Sequence, residues 1–312
     1  MTKEYARLPV KLRLIFWPYL RLSLFFWLSY ALLDGALLHW RPAFDPPADF
    51  WQLLGPGVVA AVLVLWVIWP RLRLLEKVKK GDSATLLSIT AVVTMAFGCN
   101  YLHDYLRASL GHLEILDSPA AFLHRPPRGI YYCFRHKYQS ARYAGVEWQN
   151  YTTNKGRTLV LHLYVATPLL ASPADTVLPA TTWQGLHYST EVSARASEAE
   201  KQAAYQAFLK RTAAEFGGER FTAPAGYYAR IPNADERAAY LRAAQRARLH
   251  LPAAPAPVLL VQAGEVSFAA LKREALQYLA SWLGGGTAVF FMWLLLSSLP
   301  AANAQAFRAR HP

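Results

Sequence analysis

Apolar residues gather into four blocks along this chain: Phe16 to Leu33, Leu53 to Trp69, Ala84 to Leu102 and Tyr278 to Leu299. A bilayer core of about 30 Å needs about 20 residues at about 1.5 Å of helical rise each, so every block is near or above spanning length. The fourth runs 22 residues without a charge. The first holds Arg21 near one end, where a long aliphatic stem lets the guanidinium reach the headgroups. The second opens with Gly55-Pro56-Gly57 and is bracketed by Trp51, Trp66 and Trp69 at interface depth. Thr85, Ser88, Thr90, Thr94 and Asn100 make the third the most polar. Its polarity leaves open a full span, a place inside the bundle, or partial exit from the lipid.

Between the third and fourth blocks the pattern changes. Ile130 to Lys137 is aromatic and β-prone, and Val146 and Trp148 alternate with Glu147 and Gln149 as in a half-buried strand. Thr158 to Ala166 places Leu159, Leu161, Leu163 and Val165 on one face and Val160, His162 and Tyr164 on the other, which predicts a strand covered on both faces and central in its sheet. Thr152 to Arg157, with Asn154 and Gly156, reads as a hairpin turn, and Thr181 to Val192 as a further strand. Ser197 and Glu200 form a capping box for a helix that carries Tyr205, Phe208, Leu209 and Phe216 and stops at Gly217-Gly218. Asn233 and Glu236 repeat the device before a second helix with Tyr240, Leu241 and Ala244 inward; Pro257 to Gln262 is one more strand. From Phe268 a helix can run unbroken into the fourth block. This order predicts one compact α+β domain tethered at both ends.

Charge fixes the expected orientation. Lys3, Arg7, Lys11 and Arg13 precede the first block, Arg71, Arg73, Lys77, Lys79 and Lys80 follow the second, and Arg308 and Arg310 follow the fourth. The segment Asp34 to Gln52 offers only Arg41 against Asp34, Asp45 and Asp49. By the positive-inside rule both termini and the second loop face the cytoplasm, and the α+β domain lies outside. The formal charge of +13 is divided: His103 to Ala280 holds 20 basic and 14 acidic residues, leaving 33 − 20 = 13 and 20 − 14 = 6 elsewhere. About half the surplus is therefore topological, and nucleic acid is not an expected partner. Cys99 and Cys133 give no disulfide framework. No small-x-small cleavage site closely follows the first block, which reads as a signal anchor.

Candidate chemistry is sparse. Gly81-Asp82-Ser83-Ala84 is the single Gly-x-Ser, the form used by serine intramembrane proteases at a helix start, but a hydroxyl nucleophile needs a base within hydrogen-bond reach. The other three blocks lack histidine; His39 falls just past the first and His103 at the far end of the third. Asp82 or Ser83 is the better helix N-cap. His103, Asp104, His112 and Glu114 lack metal-site spacing, because histidines nine apart stand on opposite sides of one helix. The histidines at 103, 112, 124, 136, 162, 187 and 250 are read as interfacial or satisfied strand residues, and Arg237, Arg242, Arg246 and Arg248 as a solvated surface. The aromatics Tyr131, Tyr132, Phe134, Trp148, Tyr164, Trp183 and Tyr188 read as core, with a ligand groove as the alternative. No catalytic, cofactor-binding or metal-ligating residue is assigned, and no cofactor is expected.

The stretches "RGIYYCFRHKYQSARYAGVEWQNY", "LHLYVATPLL", "TTWQGLHYSTEVS" and "SEAEKQAAYQAFLKRTAAEF", with "LIFWPYL" and "WPRLRLL" earlier, resemble the N-terminal module of long bacterial rhomboid-family proteins. In these, a multi-span module with an extracytoplasmic domain precedes the intramembrane serine protease core. The resemblance implies an accessory region and transfers neither catalytic position, because the six or so spans of that core are not in this sequence.

The resulting expectation is an integral membrane α-helical protein of about four spans in a 3+1 arrangement with an inserted α+β extracytoplasmic domain. Its divisions are 1–102 for the cytoplasmic N-terminus and three spans, 103–275 for the outer domain, 276–299 for the fourth span and 300–312 for a cytoplasmic tail. It would sit in the bacterial inner membrane as a non-catalytic recognition protein. Its partners would be the lipid bilayer and a rhomboid-type protease or another membrane protein. Two alternatives are a ligand sensor coupled to the helices and a truncated rhomboid-family protease.

Overall fold

The computed structural model describes residues 8–40, 47–75, 83–124, 127, 129–139, 141–177, 180–218, 226–232, 235–247, 258–263 and 267–310. In chain order the elements are α1 (Leu8–Leu38), α2 (Phe50–Leu72), α3 (Ser83–Leu110), β1 (Leu113–Leu116), β2 (Tyr131–Phe134), β3 (Gly145–Thr153), β4 (Thr158–Pro168), β5 (Thr182–Ser193), α4 (Glu198–Gly218), β6 (Tyr227–Arg230), α5 (Asp235–Gln245), β7 (Val258–Ala263), α6 (Phe268–Leu296) and α7 (Ala301–Arg310). The chain forms two compact units: Met1–Gly111 with Ala269–Pro312, and His112–Phe268.

In the helical unit, α1, α2, α3 and α6 are each long and apolar enough to cross a membrane. Each has a buried stripe and an apolar outer face. On α2 the stripe is Ala60, Val64, Ile68 and Leu72, spaced by four and fully buried, while Val58, Val62, Leu65 and Trp66 point outward with Trp66 78% exposed. On α3 it is Leu87, Ala91, Met95, Cys99 and His103. Spacing by four keeps side chains on one face of a 3.6-residue helix, so each stripe is a single seam into the bundle. The polar third block proves the most buried of the four. Its hydroxyls turn back on the helix, Ser88 Oγ donating to Ala84 O at 2.8 Å and Thr90 Oγ1 to Leu86 O at 2.9 Å.

Three prolines shape α1 and α2. The turns Leu12–Phe16, Phe50–Leu54 and Val64–Ile68 are π-helical, and each ends two residues before Pro18, Pro56 or Pro70. A proline ring presses on the carbonyl four residues back and offers it no N–H. The turn before it widens, and the N–H of Trp17, Gly55 and Trp69 reaches five residues back, to Leu12, Phe50 and Val64. Packing between α3 and its neighbours needs small residues. A Cβ at Gly98 would lie 2.5 Å from the Trp27 indole nitrogen, and one at Gly286 would lie 2.5 Å from Thr94 Cγ2. Trp27 Nε1, seated there, donates to Met95 O at 3.1 Å.

Three basic or C-terminal segments meet at one end of this unit. Lys11 Nζ donates to Ser297 O at 2.5 Å, Asn303 Nδ2 to Leu74 O at 3.1 Å, and the Arg71 guanidinium lies 5.8 Å from the Phe307 ring centre. Lys3, Arg7, Lys77, Lys79 and Lys80 lie outside the described residues, and Arg21 is exposed on α1. Two expectations need correction. Asp34 and Trp51 belong to α1 and α2 rather than to a loop, because Gly35 to Leu38 continues the apolar helix beyond the charge. His103 and Asp104 belong to α3, whose helix continues to Leu110.

The second unit is a seven-stranded mixed sheet of order β1-β2-β6-β7-β5-β4-β3. The pairs β1/β2 and β5/β7 are parallel and the rest antiparallel. Helix α4 covers one face of β3–β4–β5, packing Phe208 on Leu161, Leu163 and Val165 with Trp148 and Tyr205 beside them. Helix α5 covers part of the other, placing Tyr240 and Ala243 on Tyr164, Ala166 and Trp183. Phe122, Tyr132, Phe134, Tyr228 and Leu260 fill a third cluster. The strand expected at the centre, β4, is covered on both faces but lies one strand from the edge; β7 is central. Strands β1 and β6, four residues each, carry too little alternation to be read from sequence. The capping box of α4 forms as expected, with Ser197 N donating to Glu200 Oε2 at 2.7 Å and Glu200 N to Ser197 Oγ at 3.3 Å. The Ser197 N–H and hydroxyl, both donating to Glu200 Oε2, hold that carboxyl below its ordinary range. The turn between β3 and β4 takes positive φ at Asn154, Lys155 and Gly156.

Gly145 starts β3 directly beneath α5, where an added Cβ would collide with the Ala243 carbonyl and lie 2.8 Å from Ala247 N. Gly145→Ala is expected to cost about 1–3 kcal/mol by overpacking against backbone. Gly217→Ala, with nothing within 4 Å of the added atom, should leave stability unchanged or slightly raised. Thermal melts of the purified chain, followed by near-ultraviolet circular dichroism, check the pair.

Candidate functional site

The sequence candidates are scattered. Ser83 is the first residue of α3 and is buried, whereas Gly81 and Asp82 lie outside the described residues, as does the His39 side chain. Ser83 and His103 stand 103 − 83 = 20 residues apart on one helix, about 30 Å by helical rise, so they form no nucleophile–base pair. His112 follows the end of α3 in the sheet unit, and no group of three metal-ligating side chains occurs among the described residues. Arg242 and Arg246, expected as solvated surface, keep side chains 43% and 59% exposed and also hold the buried carboxylate of Glu147: Arg242 Nε lies 2.7 Å from Oε1 and Arg246 Nη1 against Oε2. Both arginines come from one face of α5 and Glu147 from β3, so this is an internal clamp on the strand and not an anion cradle.

The first notable constellation is inside the helical bundle. Asp34, 1% exposed, continues the buried stripe of α1 after Tyr19, Ser23, Trp27 and Tyr30; His103 continues that of α3 after Cys99. Asp34 Oδ2 lies 2.9 Å and Oδ1 3.1 Å from His103 Nδ1. Trp51 of α2 donates its indole N–H to Asp34 Oδ1 at 2.8 Å, and Tyr30 Oη donates to Trp51 O at 3.3 Å. One carboxylate thus joins three helices. With Nδ1 directed at the carboxylate, the imidazole keeps Nε2 as its second proton site. Sequence reading placed Asp34 at a loop boundary; extending the four-residue stripe from Tyr30 to Asp34 was the signal that could have found it.

The second lies in the sheet unit, where a recess of about 450 Å³ is lined by Cys133 to Tyr138, Ala171 to Pro173 and Tyr228. Lys137 Nζ donates to Tyr228 Oη at 2.7 Å and sits 5.1 Å from its ring centre. Burial lowers the Lys137 ammonium from its ordinary value, with Cys133 opposing, and burial then the Cys133 thiol push the Tyr228 phenol up. The third is a stack on the sheet face that α5 leaves partly open. Ring centres are 5.0 Å apart for Tyr151 and His162, 4.9 Å for His162 and His187, and 4.7 Å for Tyr164 and His187. His162 Nδ1 and His187 Nε2 approach to 2.6 Å, within hydrogen-bond distance, with the donor set by the tautomer. Tyr151 and His187 are exposed. Burial, then His162, lowers the His187 pKa, with Glu236 opposing.

Comparison with family models, with curated proteins and with solved structures finds no match to this chain.

Two predictions follow from these geometries. Removing one member of a buried, hydrogen-bonded pair leaves the other uncompensated, so Asp34→Leu and His103→Leu should each lower stability by about 3–5 kcal/mol. The double variant should lose clearly less than the sum, as a double-mutant cycle in detergent melts would read out. For His187, a folded-state pKa below the ordinary value means that the folded chain binds the proton more weakly than the unfolded one. This contribution is complete above about pH 6.5 and is lost as pH falls through the histidine range. His187→Gln should flatten the acid side of the melting-temperature profile.

Proposed function

We propose that this chain is a multi-pass membrane protein whose sheet domain recognises a protein partner outside the cytoplasm. The observation that carries the reading is the stack in which half-buried His162 lies between exposed Tyr151 and exposed His187, held rigidly on strands β3 to β5. Such rings offer large contact area with few rotatable bonds, which favours recognition. The setting is a bacterial inner membrane with the sheet domain extracytoplasmic and both termini inside. Support for that orientation comes from the positive-inside pattern and from the meeting of Lys11, Arg71 and the α7 segment at one end of the helical unit. The partner suggested by the resemblance is a rhomboid-type protease, for which this chain would be the non-catalytic accessory. A sensor reading is favoured by one observation, the unbroken helix Phe268–Leu296, whose first residue belongs to the sheet unit. Occupancy of the domain would then be transmitted along that helix.

Photo-crosslinking tests the first reading. A photoreactive residue at Tyr151, in membranes, is expected to capture a membrane protein, and His162→Ala with His187→Ala should reduce capture by at least about tenfold, as loss of hot-spot rings does. Equal capture from exposed Lys210 on α4, or none from Tyr151, would contradict the assignment of this face. A captured protein without rhomboid features would remove the accessory role.

A further inference from the structure

The recess beside Lys137 is distinct from the Tyr151–His187 face, and nothing in the reading above depends on it. Its construction is unusual for a surface lysine. Where β2 ends, Arg135 N donates to Leu116 O at 3.0 Å and His136 N to Asp117 O at 2.9 Å. One residue beyond Lys137, Tyr138 exchanges backbone bonds with Leu170 at 2.7 and 2.9 Å. Lys137 is therefore clamped on both sides and held over Tyr228, which is 1% exposed. The lining contains no carboxylate, and Cys133 is the lining group that favours the ammonium form, an effect smaller than that of burial. Arg135 and His136 are exposed lining residues, and Arg135 has Asp117 3.4 Å away as a solvent-exposed partner.

We propose that this recess is a reversible covalent binding site in which Lys137 captures a small aldehyde or 2-oxo compound that carries an anionic group. The volume lies in the range of small-molecule pockets. Neutral Lys137 Nζ adds to the carbonyl carbon, forming the C–N bond while the C=O π bond breaks and one of the two amine protons passes to the carbonyl oxygen, giving a neutral carbinolamine. Tyr228 gives its phenolic proton to the departing hydroxyl, water leaves, and the nitrogen proton returns to the Tyr228 oxygen. The balance is amine plus carbonyl to imine plus water, with Tyr228 unchanged and no oxidant or reductant consumed. Arg135 and His136 hold the anionic group. Burial lowers the ammonium pKa and so raises the fraction of neutral amine, while the phenol stays protonated and able to donate.

Glyoxylate with cyanoborohydride is the probe, applied to the full chain in detergent, with each lysine followed by peptide mass spectrometry. Lys137 is expected to be alkylated severalfold faster than exposed Lys155 and Lys210, because burial favours its neutral amine. That preference should vanish on unfolding in dodecyl sulfate. Tyr228→Phe should keep the melting temperature yet slow Lys137 alkylation severalfold, because the proton donor is gone. Arg135→Gln should raise the half-saturating glyoxylate concentration and leave that for acetaldehyde unaltered. Labelling of Lys137 no faster than Lys155 in the folded protein overturns the site. An equal effect of Arg135→Gln on both aldehydes overturns the anionic class.

Discussion

The apolar outer surface of the helical unit is the constraint on which the rest of the structure depends. Phe25, Val58, Trp66 and Leu296 are all more than half exposed and lie on faces without protein cover. Four helices with such faces are stable only where no water meets them, and a helix is the form that satisfies its own backbone there. The same constraint reaches inward. Once lipid replaces water, every polar side chain on the inner stripes must find a partner within the bundle. Asp34 finds two, the indole of Trp51 and the imidazole of His103, each from a different helix. Three spans are thereby held in one register at one end of the bundle, while Lys11, Arg71 and Asn303 tie the chain together at the other.

The sheet domain solves a different problem with the same logic. Its strands bury large aromatic residues on both faces, and its few buried charges are internally matched, Glu147 by Arg242 and Arg246. On β3 to β5 histidines and tyrosines stack, with His162 and His187 within hydrogen-bond distance, and Lys137 leans on a buried phenol beside a recess without carboxylates. Both are rigid, because they sit on paired strands or on segments pinned by backbone hydrogen bonds. The proposed recognition and capture roles draw on that rigidity.

Periodic and local signals carried most of the fold into the sequence. The capping box Ser197–Glu200, the turn at Asn154 to Gly156 and the continuity from Phe268 were legible because each is decided by neighbours within a few residues. Strand β4 was legible as doubly covered, but its place next to the edge was not, since position in a sheet is set by strands more than 50 residues away, such as β7. The four-residue strands β1 and β6 are too short to show a period. Asp34 was misplaced for a physical reason: a charge after an apolar run ordinarily marks a helix end at the interface, and only a partner 69 residues on makes its burial tolerable. The pairing of Arg242 and Arg246 with Glu147 is likewise absent from local sequence, because Glu147 is 95 residues from Arg242.

The proposed topology has the turn after α2 in the cytoplasm and the sheet domain outside it. Its most direct test is accessibility of single cysteines placed at Lys155, in the exposed turn between β3 and β4, and at Arg73, just past α2, in a Cys133→Ser background. In intact cells an impermeant maleimide should label the cysteine at 155 at once and the one at 73 only after permeabilisation. Labelling at 73 but not at 155 in intact cells would contradict it.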